Sequence, residues 1–349
     1  MIHVIAPGFT SSFLGGGGTS LFRGVAVAAA RIDAVKCYEI LAAELEIVWK
    51  GTRTIEVESY RNADALLKGI KECISPGDIV IKFSGVDWGR DPAIDLWLCE
   101  SKRAAKFHVL YADADGPSRL PFLMRHASYL PRVLDSFDGV LLFGGGARAV
   151  HEYASMTKAS VETVSMALSS LSLLAHTVAP PPPEWDIVLV VGQDSARENE
   201  TLDLIRECRA SGYKPRIAAI GGGIFPGDAT VNYLPSCDAL ELSPVYARSR
   251  FTLNVLRYEA RGYSHVPSCR LFEAAMNGSV IITEPFPGLS AYLAPDSECL
   301  VFRTGRDIGE MQSISENRRD QILRSARTRV CAEAQAATDR FVDIVERVT

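Results

Sequence analysis

Arg270 and Glu273 stand three positions apart in the segment Ser268-Cys269-Arg270-Leu271-Phe272-Glu273-Ala274-Ala275-Met276-Asn277-Gly278. On a helix, that spacing puts a guanidinium and a carboxylate on the same side, one turn apart. Ser268 is a residue type that caps helices, and the amides of a first turn can meet a phosphate. Arg270 can fork onto phosphate oxygens. Glu273 can accept two hydroxyl hydrogen bonds, which is what a ribose offers. Glu284-Pro285-Phe286-Pro287-Gly288-Leu289 follows, and its Pro287-Gly288 turn can bring more amides to the same place. An ordinary amphipathic helix with a surface Arg–Glu pair would carry the same letters.

Two further segments hold chemistry-bearing residues. In Gly15-Gly16-Gly17-Gly18-Thr19-Ser20, the glycines let backbone amides turn toward a ligand, and Thr19 or Ser20 can cap the helix expected over Leu21–Ala30. The pattern is neither G-x-G-x-x-G nor a P-loop, and a surface loop would also fit it. In His108-Val109-Leu110-Tyr111-Ala112-Asp113-Ala114-Asp115-Gly116-Pro117 a strand runs into Asp-x-Asp. Asp113 and Asp115 could hold a divalent metal and a diphosphate, supply a general base to an acceptor, or form an acidic turn. We expect no bound metal. The histidines lack ligand spacing, and His151-Glu152 has no second His to make a zinc motif.

These segments need a scaffold, and its pattern is an alternation of short apolar runs with amphipathic stretches. Strands are expected at Ile2–Ala6, Leu45–Trp49, Ile79–Phe83, His108–Tyr111, Val140–Phe143 and Val161–Val164, with helices at Ala63–Cys73 and Pro92–Ala105. Ala179-Pro180-Pro181-Pro182-Pro183-Glu184-Trp185 can join neither a helix nor a central strand and reads as a stiff connector. The alternation then restarts: Ile187–Val191, a helix over Glu200–Arg209, Arg216–Ile220, Phe251–Leu256, a helix over Cys269–Asn277, Val280–Thr283, and a long helix, with room for a break, over Ser315–Val348. The fold class is therefore α/β, with two Rossmann-like lobes whose parallel sheets face a central cleft. The expected division is an N-terminal lobe at 1–178, a linker at 179–185, a second lobe at 186–314 and a helical segment at 315–349.

The bulk numbers narrow the partners. Of 349 residues, 37 are Lys or Arg and 42 Asp or Glu, for a net charge of −5. Without a basic run, nucleic acid and anionic membrane surfaces are poor partners, and no apolar stretch is long enough to span a bilayer. The 8 cysteines are scattered, without C-x-x-C, as expected of buried thiols in the cytoplasm.

The order strand, Leu253-Asn254, loop, Arg270-Leu271-Phe272-Glu273-Ala274-Ala275, Gly278, strand, Pro287-Gly288-Leu289 resembles the donor half of GT-B glycosyltransferases, and most of all the spore-maturation, CgeB-like group. The likeness runs from about Trp185 to Arg306; the N-terminal half is similar mainly through Asp113–Pro117. It implies a nucleoside-diphosphate sugar, UDP- or GDP-linked, held by the second lobe, with no tightly bound cofactor. The acceptor, a small molecule or glycan, would sit in the first lobe, and the last helix would cross back to it. Glu273 would bind ribose, Arg270 and nearby amides the diphosphate, and Gly192 and Gly221–Gly223, with Gly222 at the centre, would line the nucleotide crevice. Asn254, Gly288 and Leu289 belong to the matching segments. Arg248 and Arg197 are further candidates for stabilising the leaving diphosphate. Related retaining enzymes often carry a second, earlier glutamate; aligning Glu273 with the later one puts His265 in that place. A nucleotide-sugar epimerase or hydrolase, a non-catalytic nucleotide-binding protein and a metal-dependent GT-A transferase are the alternatives.

Overall fold

A computed structural model of the chain describes residues 1–7, 9, 18–40, 53–84, 93–113, 130–144, 146–176, 182–190, 195–220, 231–234, 239–256 and 268–348. The chain forms two compact units: Met1–Phe13 with Thr19–Leu168 and Gln335–Thr349, and Leu14–Gly18 with Ser169–Ala334. Among the described residues no helix is long and apolar enough to cross a membrane.

Unit 1 is built on a seven-stranded sheet of order β3-β2-β1-β4-β5-β6-β7, parallel throughout. The strands are β1 (Ile2–Ile5), β2 (Val35–Ile40), β3 (Ile55–Tyr60), β4 (Ile79–Phe83), β5 (His108–Asp113), β6 (Gly139–Phe143) and β7 (Ser160–Val164). β1, β4 and β6 are buried at every residue, so their apolar runs are those of strands covered on both faces. The outer strands β3 and β7 carry exposed polar residues instead. β2 and β3 escaped the sequence reading because Lys36, Glu39, Glu56 and Glu58 break up their apolar pattern. The expected strand Leu45–Trp49 lies outside the described residues.

Helices α1 (Gly18–Ala29), α2 (Ala63–Cys73), α3 (Ala93–Ala105), α4 (Leu130–Leu134) and α5 (Gly146–Met156) cover this sheet, and a 3₁₀ helix spans Met166–His176. Thr19 and Ser20 lie inside the first turn of α1, both buried, and not at its cap as their type had suggested. The helix begins one residue before them, at Gly18. Two buried charges fix the chain where it leaves β1. The Arg23 Nε donates to the Phe9 carbonyl at 2.6 Å, and the Phe9 amide donates to the Glu39 carboxylate. Glu39 also accepts from Ser59 Oγ at 2.6 Å.

Unit 2 repeats the plan with a six-stranded parallel sheet of order β10-β9-β8-β11-β12-β13. Its strands are β8 (Trp185–Val190), β9 (Ile217–Ile220), β10 (Val231–Leu234), β11 (Ser249–Asn254), β12 (Val280–Thr283) and β13 (Leu300–Val301). Its helices are α6 (Ser195–Ala210), α7 (Ala239–Ala247), α8 (Cys269–Met276), α9 (Leu289–Tyr292), α10 (Gly305–Met311) and α11 (Glu316–Glu346). Ile187, Leu189, Phe251, Leu253, Val280 and Ile282 alternate into one core from three adjacent strands. α11 is a single helix of 31 residues, so the break allowed for in its sequence is absent. Its residues from Gln335 onward belong to unit 1, where Arg340 and Arg347 both bond the Glu162 carboxylate of β7.

α10 starts hard against α6. The Gly305 amide donates to Glu207 Oε2 at 2.9 Å, and Thr304 and Asp307 form a capping box around the same turn. A Cβ at Gly305 would stand 2.2 Å from the Leu204 carbonyl oxygen and 2.8 Å from the Cys208 amide nitrogen. Both obstacles are backbone and cannot rotate away. Gly305→Ala is therefore expected to cost at least about 1–3 kcal/mol in a urea unfolding curve. A loss below about 0.5 kcal/mol would show that the two helices are not packed this closely.

Candidate functional site

The Arg270 segment folds as a helix that is buried all round: each of the eight residues of α8 is buried, Arg270 and Glu273 included. Ala274 and Ala275 allow that close packing by offering only methyl groups. Ser268 caps the helix, its side chain accepting from the Arg270 amide at 3.4 Å. At the other end the Asn277 side chain donates to the Glu273 carbonyl at 2.8 Å, and Gly278 takes φ 96°, a left-handed turn that starts the run into β12.

α8 connects β11 to β12, whose last residues, Asn254 and Thr283, are register partners. A polar chain crosses these strand ends. Thr283 Oγ1 donates to the Glu284 carbonyl at 3.1 Å and accepts from Asn254 Nδ2 at 3.0 Å. Asn254 Oδ1 accepts from Arg270 Nη1 at 3.3 Å. The Tyr246 hydroxyl, on α7, donates to Glu273 Oε2 at 3.3 Å and also interacts with Arg270. Exposure is 8% for Arg270, 3% for Glu273, 1% for Asn254 and 0% for Tyr246. Burial first, and then the Glu273 carboxylate, push the Tyr246 hydroxyl well above its ordinary pKa, with Arg270 opposing, so it stays a donor at neutral pH.

Beside this run of bonds lies a donor without a partner. The Nε of Arg270 is buried and makes no hydrogen bond. A buried N–H left unmade costs about 1–3 kcal/mol. Such a donor, in the first turn of a helix, is what an incoming anion satisfies.

The loops around this site are tied to it. Glu284 Oε2 accepts from the Leu256 amide at 2.6 Å, strapping the chain that leaves β12 to the chain that leaves β11. Gly288, at φ 87°, is the N-terminal boundary of α9, and Leu289 is buried beside it as the first helical residue. Arg248 is not brought to the site. It precedes β11, at the opposite end from Asn254, and is exposed and paired with Glu184 at 3.5 Å. Arg197 lies in the first turn of α6, which follows β8; its side chain is outside the described residues. So are Gly192, Gly222, His265, Gly16, Gly17 and Asp115.

In unit 1 Asp113 ends β5 and is buried. Its Oδ1 accepts from Ser84 Oγ at 2.9 Å, and its Oδ2 accepts from the Tyr153 hydroxyl of α5. Burial and the adjacent Asp113 carboxylate hold Tyr153 well above the ordinary tyrosine pKa. Tyr246, Thr283, Glu284, Ser84 and Tyr153 were not singled out as site residues from the sequence. Each earns its place through a partner distant in sequence, and a single chain of letters carries no sign of that.

Thr283→Val keeps the shape of a buried residue and removes the hydroxyl that receives Asn254 Nδ2. It is expected to lower the unfolding free energy by about 1–3 kcal/mol, the cost of leaving a buried donor unmade. An unfolding curve matching the wild type would mean that the chain of bonds across the strand ends is not formed.

Comparison with known proteins fits this geometry. Residues 197–343, which include α8, match a family model described as glycosyl transferase-like. No curated protein matches the chain. Among solved structures it is similar to sucrose-phosphate synthase from Thermosynechococcus elongatus, at 12% identity and TM-score 0.67 over 99% of this chain and 98% of that one. It is also similar to an E. coli protein described as trehalose-6-phosphate bound with UDP-2-fluoro glucose, at 10% identity and TM-score 0.65 over 100% and 99% of the two chains. A third is Anabaena HepE in complex with UDP and glucose, at 10% identity and TM-score 0.63 over 99% of each chain. The fold is thus the GT-B fold, two α/β units each built on a parallel, Rossmann-like sheet.

Proposed function

We propose that the protein is a glycosyltransferase that moves a sugar from a nucleoside diphosphate to an acceptor hydroxyl, without a metal ion, and that it is of the CgeB-like kind. The observation that carries the reading is the buried, unpartnered Nε of Arg270 at the start of α8. In this reading the diphosphate lies against Arg270 and the first-turn amides, and Glu273 takes the ribose. The likeness to structures that hold UDP or UDP-glucose supports a uridine donor ahead of a guanosine one. Residues 1–178 take the acceptor, 179–185 link, 186–314 take the donor, and 315–349 return toward the first unit.

The reaction forms a bond between the acceptor oxygen and the anomeric carbon and breaks the bond from that carbon to the β-phosphate oxygen. Negative charge grows on the leaving diphosphate, and a guanidinium and helix amides already in place stabilise it without reorganising. The acceptor proton passes to Asp113 or Asp115 if transfer inverts the anomeric centre, or to the leaving phosphate if it retains it. His265 occupies the position of the earlier glutamate of related retaining enzymes.

Binding of UDP, GDP and ADP, measured by calorimetry with and without EDTA, tests the reading. One nucleotide should bind in EDTA, and Arg270→Ala and Glu273→Ala should each weaken it by about 1.5–3 kcal/mol, the worth of a hydrogen bond to a charged group. Binding that survives both substitutions would place the donor elsewhere. Binding abolished by EDTA would favour a metal site at Asp113 and Asp115. Release of free sugar from the donor without any acceptor as the main activity would make the protein a hydrolase.

A further inference from the structure

The polar chain behind Arg270 has a direction, and the backbone sets it. The Thr283 hydroxyl gives its one proton to the Glu284 carbonyl at 3.1 Å, so toward Asn254 its oxygen can only accept. Asn254 therefore turns Nδ2 toward Thr283, at 3.0 Å, which leaves Oδ1 for Arg270 Nη1, at 3.3 Å. Reversed, the amide would set an N–H against the guanidinium and its oxygen against the lone pairs of Thr283. Asn254 and Thr283 are register partners at the ends of β11 and β12, and both are buried, so such a mismatch could not be relieved by water. A guanidinium is planar and rigid. Held by its own stem and by Asn254 at Nη1, it has little freedom to turn, and the line of its unpartnered Nε–H is set. Tyr246 also interacts with Arg270, but Asn254 is the neighbour whose own orientation the sheet fixes.

We infer that Asn254 is a positioning residue for the donor phosphate: it aims the Arg270 Nε–H at the diphosphate without touching the nucleotide, and the Thr283 hydroxyl fixes which end of its amide does so. The inference rests on the donor site proposed above and adds to it. A guanidinium aimed before the ligand arrives meets the phosphate without first reorganising. One that can swing keeps its charge but spends part of its time facing elsewhere. Both ends of the Asn254 amide are engaged within the protein, which sets it apart from an asparagine that binds the ligand itself. Its effect on the nucleotide therefore passes through Arg270 and disappears when Arg270 is removed.

The test is a double-mutant cycle on the full chain: UDP affinity by calorimetry in EDTA for the wild type, Asn254→Ala, Arg270→Ala and the double variant. UDP is titrated to millimolar concentration so that the weaker complexes are read. Asn254→Ala should weaken UDP by about five- to tenfold when Arg270 is present, as side chains in contact couple, and by less than about twofold when it is absent. The same loss in both backgrounds would make Asn254 a packing residue or a direct ligand and overturn the inference. No loss in either would overturn it too. Thr283→Val and Thr283→Ser form a second arm that stands even if Asn254→Ala does not fold. Val removes the hydroxyl and should weaken UDP by about threefold or more, while Ser keeps it and should stay within about twofold of the wild type. A Val variant that binds as the wild type does, or a Ser variant no better than Val, would overturn the orienting role of the hydroxyl. A wild type that does not bind UDP, or an Arg270→Ala variant that binds it undiminished, would instead overturn the donor site itself, a result distinct from the others.

Discussion

A guanidinium is costly to bury, and it stays buried only where its donors are satisfied or where the fold holds it for a ligand. Arg270 is such a buried guanidinium. Its helix is enclosed on every side, Asn254 takes part of its hydrogen-bonding capacity, and Nε is left over. The packing around it follows from that placement. Alanines on α8 let the helix sit close to the sheet, the Ser268 cap starts it at the strand ends, and Gly278 turns the chain directly into β12. Parallel pairing of β11 and β12 then brings Asn254 beside Thr283, which completes the polar chain behind the arginine.

The two units solve a similar problem in the same way. Each buries a carboxylate, Asp113 at the end of β5 and Glu273 within α8, and each gives it a tyrosine hydroxyl from a helix: Tyr153 to Asp113 in unit 1, Tyr246 to Glu273 in unit 2. Both hydroxyls are kept protonated by burial and by the carboxylate they serve. Unit 1 adds a second device at β1, where Arg23 and Glu39 grip the Phe9 backbone from both sides as the chain enters the glycine-rich segment.

The sequence displayed the strands that are apolar on both faces, because continuous runs such as Val140–Phe143 have few other readings. It concealed β2 and β3, where lysine and glutamate interrupt the apolar pattern at positions from buried Glu39 to exposed Glu56. It displayed the Arg270–Glu273 pair, since helical spacing is local. It did not show that the pair is buried, nor that Arg248, close by in sequence, lies at the far end of the same strand in an exposed pair with Glu184. Helix start residues misled at Thr19 for a similar reason: a run of glycines permits the helix to begin before the first capping side chain. Tyr246, Thr283 and Glu284 act through tertiary partners, and their letters alone say nothing of those partners.

The most direct measurement is a crystal structure of the protein soaked with UDP in the absence of divalent metal. The account predicts diphosphate oxygens within about 3 Å of Arg270 Nε and of the first amides of α8, with the ribose on Glu273. A diphosphate found in unit 1, or in unit 2 away from α8 with Arg270 still enclosed and unpartnered, would contradict it.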